Sequence, residues 1–261
     1  MACSRQRIRQ KPRGPEGPLQ LKRFYTAVAV SEETSSGNGA PEFLVILDGL
    51  AARTPAGARL ILPTSALADA IAGEWRDQGE DMNVAAMPFT RLAGTAIDHV
   101  RPRRKAVVTG LMTYATSDLL CYRAAQPPEL VERQDENWQP LLDWAAETLE
   151  AELAVTTGVT PLSQPPQSLD ALERAVCAQD EMQLTAINSA ATAAGSLILA
   201  LALAHGFIDA SRAFELSSLH EAFQMERWGE NEEGKRRLEG LREEITQAAL
   251  FMDLCRECAL G

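Results

Sequence analysis

The sequence predicts an α+β protein, a small β-rich N-terminal domain followed by a larger all-helical C-terminal domain. Three observations lead to that class. Short apolar runs separated by turn residues crowd into the first third of the chain. Near Pro88 the apolar pattern changes from a period of two to a period of 3.6. From Thr90 onward helix follows helix, so the two classes are segregated along the chain rather than interleaved in a parallel sheet. The expected division is a disordered basic tail over 1–22, a β-rich domain with one helix over 23–87 and a helical domain over 88–261. No internal repeat of solenoid length is visible.

Each element has its own local reason. Phe24 to Val30 is a β-rich run, and the polar stretch from Ser31 to Pro41 reads as a loop. Phe43 to Leu47 leads into Asp48-Gly49, a dipeptide that tolerates the positive φ of a type I′ turn and so marks a hairpin. Thr54-Pro55-Ala56-Gly57 turns the chain again before a strand over Arg59 to Leu62. Pro63-Thr64-Ser65 offers an N-cap, Leu67, Ile71 and Trp75 follow at helical spacing, and Gly79 ends that helix.

In the second part, Leu92, Ala96 and Val100 line one helical face, and Val107, Val108, Leu111, Met112 and Ala115 line the next. Pro127-Pro128 breaks the chain, and a helix from Leu130 to Leu153 is interrupted at Pro140. Thr157 to Gln167 holds three prolines and reads as a loop, after which Ser168 caps a helix carrying Leu169, Leu172 and Val176. Ser189 to Ala204 is free of charge but shorter than the roughly 20 residues that span a bilayer. It is expected to be the buried central helix, surrounded by the helices carrying Leu141, Val176 and Leu219. Two charged helices close the chain, Ser211 to Trp228 and then Glu233 to Cys258.

Charge and composition narrow the function. The chain of 261 residues carries a net charge of −11, which argues against a general grip on nucleic-acid phosphates. The charge is uneven: residues 1–23 hold seven bases and one acid, and an acidic body follows. Five scattered cysteines without a signal peptide before them fit a reducing compartment and free thiols. Cys255 and Cys258 have CxxC spacing but no second pair, which as a redox or metal motif is weak.

Catalytic patterns are sought and not found. The histidines (His99, His205, His220) stand in no zinc spacing, and neither a phosphate-binding glycine loop nor a GxSxG elbow occurs. Gly37-Asn38-Gly39 lies in a polar linker, and Ser196 is expected inside the apolar helix, bonded to its own backbone. Carboxylate pairs such as Asp143/Glu147 and Glu243/Glu244 read as solvated helix faces. No catalytic residue, metal ligand or cofactor is assigned. What remains is four tryptophans on predicted helices, each read first as a core anchor: Trp75 fits by its period, whereas the polar surroundings of Trp138 and Trp144 and the acids beside Trp228 at a helix end leave an interface role open.

Several strings, taken in order, resemble one family. They begin with Arg23-Phe24-Tyr25, Leu47-Asp48-Gly49, Arg53-Thr54-Pro55, Leu62-Pro63-Thr64 and Ile71-Ala72-Gly73-Glu74-Trp75 with Gln78. Met87-Pro88-Phe89-Thr90, Ala96-Ile97-Asp98, Ser117-Asp118-Leu119-Leu120 and Tyr122-Arg123 continue the match. Gln134, Trp138, Pro140-Leu141-Leu142, Trp144, Gly195-Ser196-Leu197, Gln224, Glu226, Trp228-Gly229 and Glu232 complete it. Over roughly 23–254 the chain resembles the assembly chaperones of the F-type ATP synthase catalytic head that handle its α subunit.

The resemblance implies a protein that binds the unassembled α subunit, keeps it from aggregating and gives way as the β subunit joins. It implies no enzymatic activity and no cofactor. A functional glutamate just after the Trp-Gly pair falls on Glu232, with Glu233 one step away in register. The candidate client-binding or release residues are thus Gln224, Trp228, Gly229, Glu232 and Glu233. A monomer is expected, without nucleic-acid binding or membrane insertion. The short tail favours a bacterial cytoplasm, with the mitochondrial matrix as the alternative. The competing classes are a small cofactor-free enzyme using an acidic cleft between the domains, and a plain scaffold.

Overall fold

A computed structural model describes residues 21–34, 41–158, 162–229 and 232–256. Residues 1–20 of the basic tail expected over 1–22, the Gly37-Asn38-Gly39 stretch and Cys258 lie outside the described residues. Leu21 and Lys22 are placed, Leu21 O accepting from Met82 N at 2.8 Å and Lys22 forming a β-bridge with Asp81. The N-terminal sheet is organised by one turn. Strand β1 (Val28–Thr34) lies antiparallel to β2 (Pro41–Leu47), with Val28 opposite Leu47 and Thr34 opposite Pro41. Asp48 and Gly49, at φ 47° and 86°, then reverse β2 into β3 (Leu50–Ala51), as a type I′ turn requires. The Asp48 carboxylate accepts hydrogen bonds from the backbone N–H of Ala27 at 2.7 Å and of Thr26 at 3.0 Å, which hold it below the usual carboxylate range. Strand β4 (Ile61–Leu62) pairs with Phe43 and Leu44 of β2.

Two boundaries differ from expectation. Ser31 to Thr34 continue β1 instead of looping out, because β1 has only β2 as a neighbour and its polar residues are those of an edge strand. Helix α1 (Ser65–Arg76) stops before Gly79. The carbonyl of Gln78 is taken by the Arg23 guanidinium at 2.6 Å, and the Gln78 side chain accepts from Asn83 N at 2.7 Å, so the chain leaves the helix there. The Thr64 cap is as expected, accepting from Leu67 N at 3.2 Å, and its hydroxyl also donates to Leu254 O, far along the chain.

The remainder is mostly helical. Helix α2 (Pro88–Thr95) runs through a π-helical turn, Ala96–Val100, and a short 3-10 turn into α3 (Arg104–Thr116). The half-buried Glu74 carboxylate receives Phe89 N, Thr90 N and the Thr90 hydroxyl at 2.6–2.8 Å and so closes the open start of α2. Asp98 accepts from the Thr54 hydroxyl at 2.6 Å and Ala56 N at 3.0 Å, tying the turn before β4 to the π-helical segment.

Helix α4 (Pro128–Leu149) passes straight through Pro140, where a break was expected. Trp138, Leu141, Leu142, Trp144 and Ala145 are all buried around it. A proline inside a helix costs about 3 kcal/mol, and several large side chains buried at about 1.5–3 kcal/mol each outweigh it. Two short parallel strands that the sequence did not announce, β5 (Tyr122–Arg123) and β6 (Thr156–Thr157), interrupt the otherwise helical part. Helix α5 (Pro166–Cys177) starts on Pro166 in its first turn, and Ser168 does not cap it but donates to the carbonyl of Glu152.

The largest correction concerns the apolar run. It is two helices, α6 (Glu181–Ala194) and α7 (Leu197–Ala204), not one. Gly195 takes φ +66°, a left-handed conformation that ends α6, and Ser196 caps α7 by accepting from Leu199 N at 3.0 Å. The Ser196 hydroxyl donates not to its own backbone but to the fully buried Asp118 at 2.7 Å. Asp118 also receives Ile198 N and Leu120 N, each at 3.1 Å. Burial nonetheless pushes the Asp118 carboxyl up to about 6. Both helices are deeply buried, Leu197 to Leu203 completely so. Helices α8 (Ala210–Ser217), α9 (Leu219–Trp228) and α10 (Glu232–Cys255) close the fold. Helix α10, whose Ile245, Phe251 and Met252 are fully buried, packs against α6, with Gln183 Nε2 donating to Met252 O at 2.9 Å. Of the neighbours expected for the apolar run, the helix carrying Leu141 lies against α7, whereas those carrying Val176 and Leu219 pack chiefly on other helices.

Candidate functional site

The candidate residues meet where α9 hands over to α10. On α9, Leu219 and Phe223 turn inward, and His220, Gln224 and Trp228 fall four residues apart on the opposite, exposed side. Gln224 and His220 are joined through their Nε2 atoms at 3.1 Å. Trp228 ends the stripe with 75% of its surface exposed, whereas Trp75, Trp138 and Trp144 are at 8%, 1% and 8%. Those three are core anchors; the Trp138 indole N–H, for instance, donates to Leu216 O at 3.0 Å. Trp228 is of another kind.

Gly229 makes the break. Its φ of +88° with ψ of 160° is a conformation open almost only to glycine, so the chain leaves α9 directly after the tryptophan. Residues 230 and 231 lie outside the described residues, and α10 begins at Glu232. Glu232 and Glu233 are both exposed in the first turn of α10, where a carboxylate also meets the positive end of the helix dipole.

An open groove of about 430 Å³ runs between the two helices. It brings together Gln224, Met225, Trp228, Gly229, Glu233 and Leu238, with Glu221 and Arg237 forming an ion pair across it. Glu232 is not among its lining residues. A second hollow of about 630 Å³ shares Met225 and Leu238 and continues past Ala222 to Phe214 and Arg242. Sequence reasoning found the α9 wall and Glu233 at the start of the α10 wall, and missed Arg237 and Leu238 beyond it. The available signal was Leu238, Leu241 and Ile245 at helical spacing in an otherwise charged stretch.

Fixed charges surround this apolar strip. Arg133 of α4 grips Glu226 through both carboxylate oxygens, at 2.9 and 3.0 Å, which raises the arginine and lowers the glutamate from their ordinary values. The guanidinium groups of Arg133 and Arg227 each lie 5.3 Å from the centre of the Phe223 ring, and that of Arg242 lies 4.3 Å from the Phe214 ring. A wet rim of charge around exposed aromatic and aliphatic groups is the anatomy of a protein-binding face rather than of a small-molecule cavity.

Elsewhere several polar side chains tie elements of the fold together. Among the described residues no three His, Cys, Asp or Glu side chains are grouped to hold a metal ion, and no helix is long and apolar enough to cross a membrane. Cys121 is buried, Cys177 exposed and Cys255 partly buried, with burial raising the thiols of Cys121 and Cys255. Gln134, whose side chain accepts from Ala124 N at 2.7 Å, is a core tie. So are Glu74, Asp98, Asp118 and Ser196, whose partners are given above.

Known proteins resemble most of the chain. The family described as ATP12 chaperone protein matches residues 22–146. The mitochondrial atp12 protein of Schizosaccharomyces pombe is 27% identical over 235 residues, spanning 85% of this chain and 79% of that protein. The crystal structure of Atp12 from Paracoccus denitrificans superposes with a TM-score of 0.84 at 42% identity, covering 90% of this chain and 98% of the other. The crystal structure of the Atu1473 protein from Agrobacterium tumefaciens gives a TM-score of 0.80 at 37% identity, over 88% of this chain and 84% of that one.

Proposed function

The chain belongs to the ATP12 chaperone family, and from that premise we propose that it is an assembly chaperone of the F-type ATP synthase, acting on the unassembled α subunit. It binds that subunit, prevents its aggregation and is displaced when the β subunit joins. The observation that carries this reading is Trp228, three-quarters exposed on an open groove whose rim is held by ion pairs. A client that must later be given up calls for a few aromatic anchors in a polar surround, since such anchors dominate binding while the rim contributes little. Gln224, Trp228 and Gly229 form the binding edge, and Glu232 and Glu233 act in binding or release. The protein works as a monomer, without cofactor and without catalysis of its own. A bacterial cytoplasm is the proposed setting, and relatives of the chain are found in bacteria and in mitochondria.

Purification of the tagged full chain from cells that make the ATP synthase tests this directly. The α subunit should co-purify without the β subunit. Recovery of α only together with β, or of neither, would overturn the proposal.

A further inference from the structure

Far along the chain from α9 and α10, the N-terminal region carries a second exposed apolar surface. Phe24, at 66%, and Leu50, at 76%, are with Trp228 the three most exposed large apolar side chains among the described residues. Both line one groove of about 430 Å³, shared with Trp75. The Phe24 ring stands edge-on to Tyr25 at 5.3 Å and to Trp75 at 6.4 Å, so it is fixed by neighbours and still open to solvent. Leu50 directly follows the Asp48-Gly49 turn, where the hairpin sets no demand for an apolar side chain. Trp75 is 8% exposed, and its indole Nε1 is buried without a hydrogen-bond acceptor.

The charges of this groove are not balanced. Asp48 lies on it, but its carboxylate is occupied by the N–H groups of Thr26 and Ala27. Arg59 is paired with Glu33 at 2.8 Å. Arg53 donates only to the carbonyl of Gly57, at 2.7 Å, and has no carboxylate partner among the described residues. A chain of net charge −11 therefore keeps an uncompensated cation beside its exposed phenylalanine and leucine.

We propose that this groove docks an extended segment of a partner protein in which an apolar side chain stands next to a carboxylate. The apolar group seats between Phe24 and Leu50 against Trp75, and the carboxylate pairs with Arg53. The inference stands apart from the Trp228 groove and from the identity of the client there.

The test uses the full chain with ¹⁵N-labelled tryptophan, its indole resonances assigned by single Trp→Phe substitutions. The probe is the blocked peptide acetyl-Gly-Leu-Phe-Asp-Gly-amide, with Asn and Lys counterparts at the Asp position. The Trp75 resonance should move saturably and that of Trp228 should not. Affinity should fall roughly tenfold for the Asn peptide and in Arg53→Glu, the scale of one charge-assisted hydrogen bond, and further for the Lys peptide. The double variant Phe24→Ser, Leu50→Ser, both exposed positions, should melt like the parent and lose binding. A Trp75 resonance unmoved at millimolar peptide, equal affinity for the three peptides, or undiminished binding by the double variant overturns the proposal. So does a concentration-dependent dimer abolished by the double variant, which would assign the groove to a second copy of the chain.

Discussion

Helix α10 is two different surfaces joined end to end. From Glu232 to Glu244 not one of its side chains is buried, and it stands beside α9 across an open groove. From Ile245 to Met252 five of its residues are buried, against α6 and the core around α7. The first half sets an exposed Glu233 and a half-buried Leu238 along the groove that Trp228 also lines, while the second seals Phe251 at 6.4 Å from Phe89. One helix thus anchors the fold at one end and offers a face at the other. Stability and recognition are separable along it, because burial decides the first and exposed anchors decide the second.

If that separation is real, substitutions in the buried half should unfold the protein and those in the exposed half should not. The largest effect is expected for Phe251→Ala, about 3–5 kcal/mol lost in denaturant titration, since a fully buried ring leaves a cavity. Next comes the pH dependence set by Asp118. Its folded-state value of about 6 lies above the ordinary carboxylate value because burial outweighs its hydrogen bonds. The native state therefore holds that proton more tightly than the unfolded chain. The contribution is whole below about pH 4 and is lost as pH rises through about 6, some 3 kcal/mol in all. Stability measured from pH 7 down to 5 should show the first part of this gain, about 1 kcal/mol, with the rest appearing as pH falls to about 4, and Asp118→Asn should flatten it. Gly195→Ala is expected to cost about 1–2 kcal/mol from backbone strain alone, as its φ is +66° and a Cβ there would meet no atom within 4 Å.

These same residues show what sequence can carry. The Asp48-Gly49 hairpin, the Thr64 cap and the change to helices near Pro88 are local chemistry, and the structure has all three. The break at Gly195 was open to view as a glycine followed by a capping serine, but an unbroken apolar composition on both sides masked it. The tertiary partner of the break, the Asp118 carboxylate, lies 78 residues away from Ser196 and is invisible to any local window. Pro140 misled for the opposite reason, because a strong local breaker lost to tertiary burial. In the candidate site, Trp228 and Gly229 stood out by type and spacing. That Trp228 alone of four tryptophans is exposed follows from packing, which no residue spacing reveals.

Smaller effects sharpen the exposed side of the comparison. Glu232→Gln and Glu233→Gln each remove a carboxylate from the first turn of α10, worth about 0.3–1 kcal/mol, so together they should lower the melting temperature slightly. If helix termination were their whole role, protection of the client would track the folded fraction. A role in binding or release predicts protection lost beyond that fraction, with no ATP hydrolysis by parent or variant.

The central claim rests on Trp228, whose removal should touch stability least and function most. The decisive measurement is light scattering of the isolated ATP synthase α subunit during aggregation, with parent or Trp228→Ala added at equal folded concentration. Trp228→Ala should unfold within about 0.5 kcal/mol of the parent and fail to suppress the scattering. A variant that unfolds like the parent and protects the α subunit equally well would contradict the account.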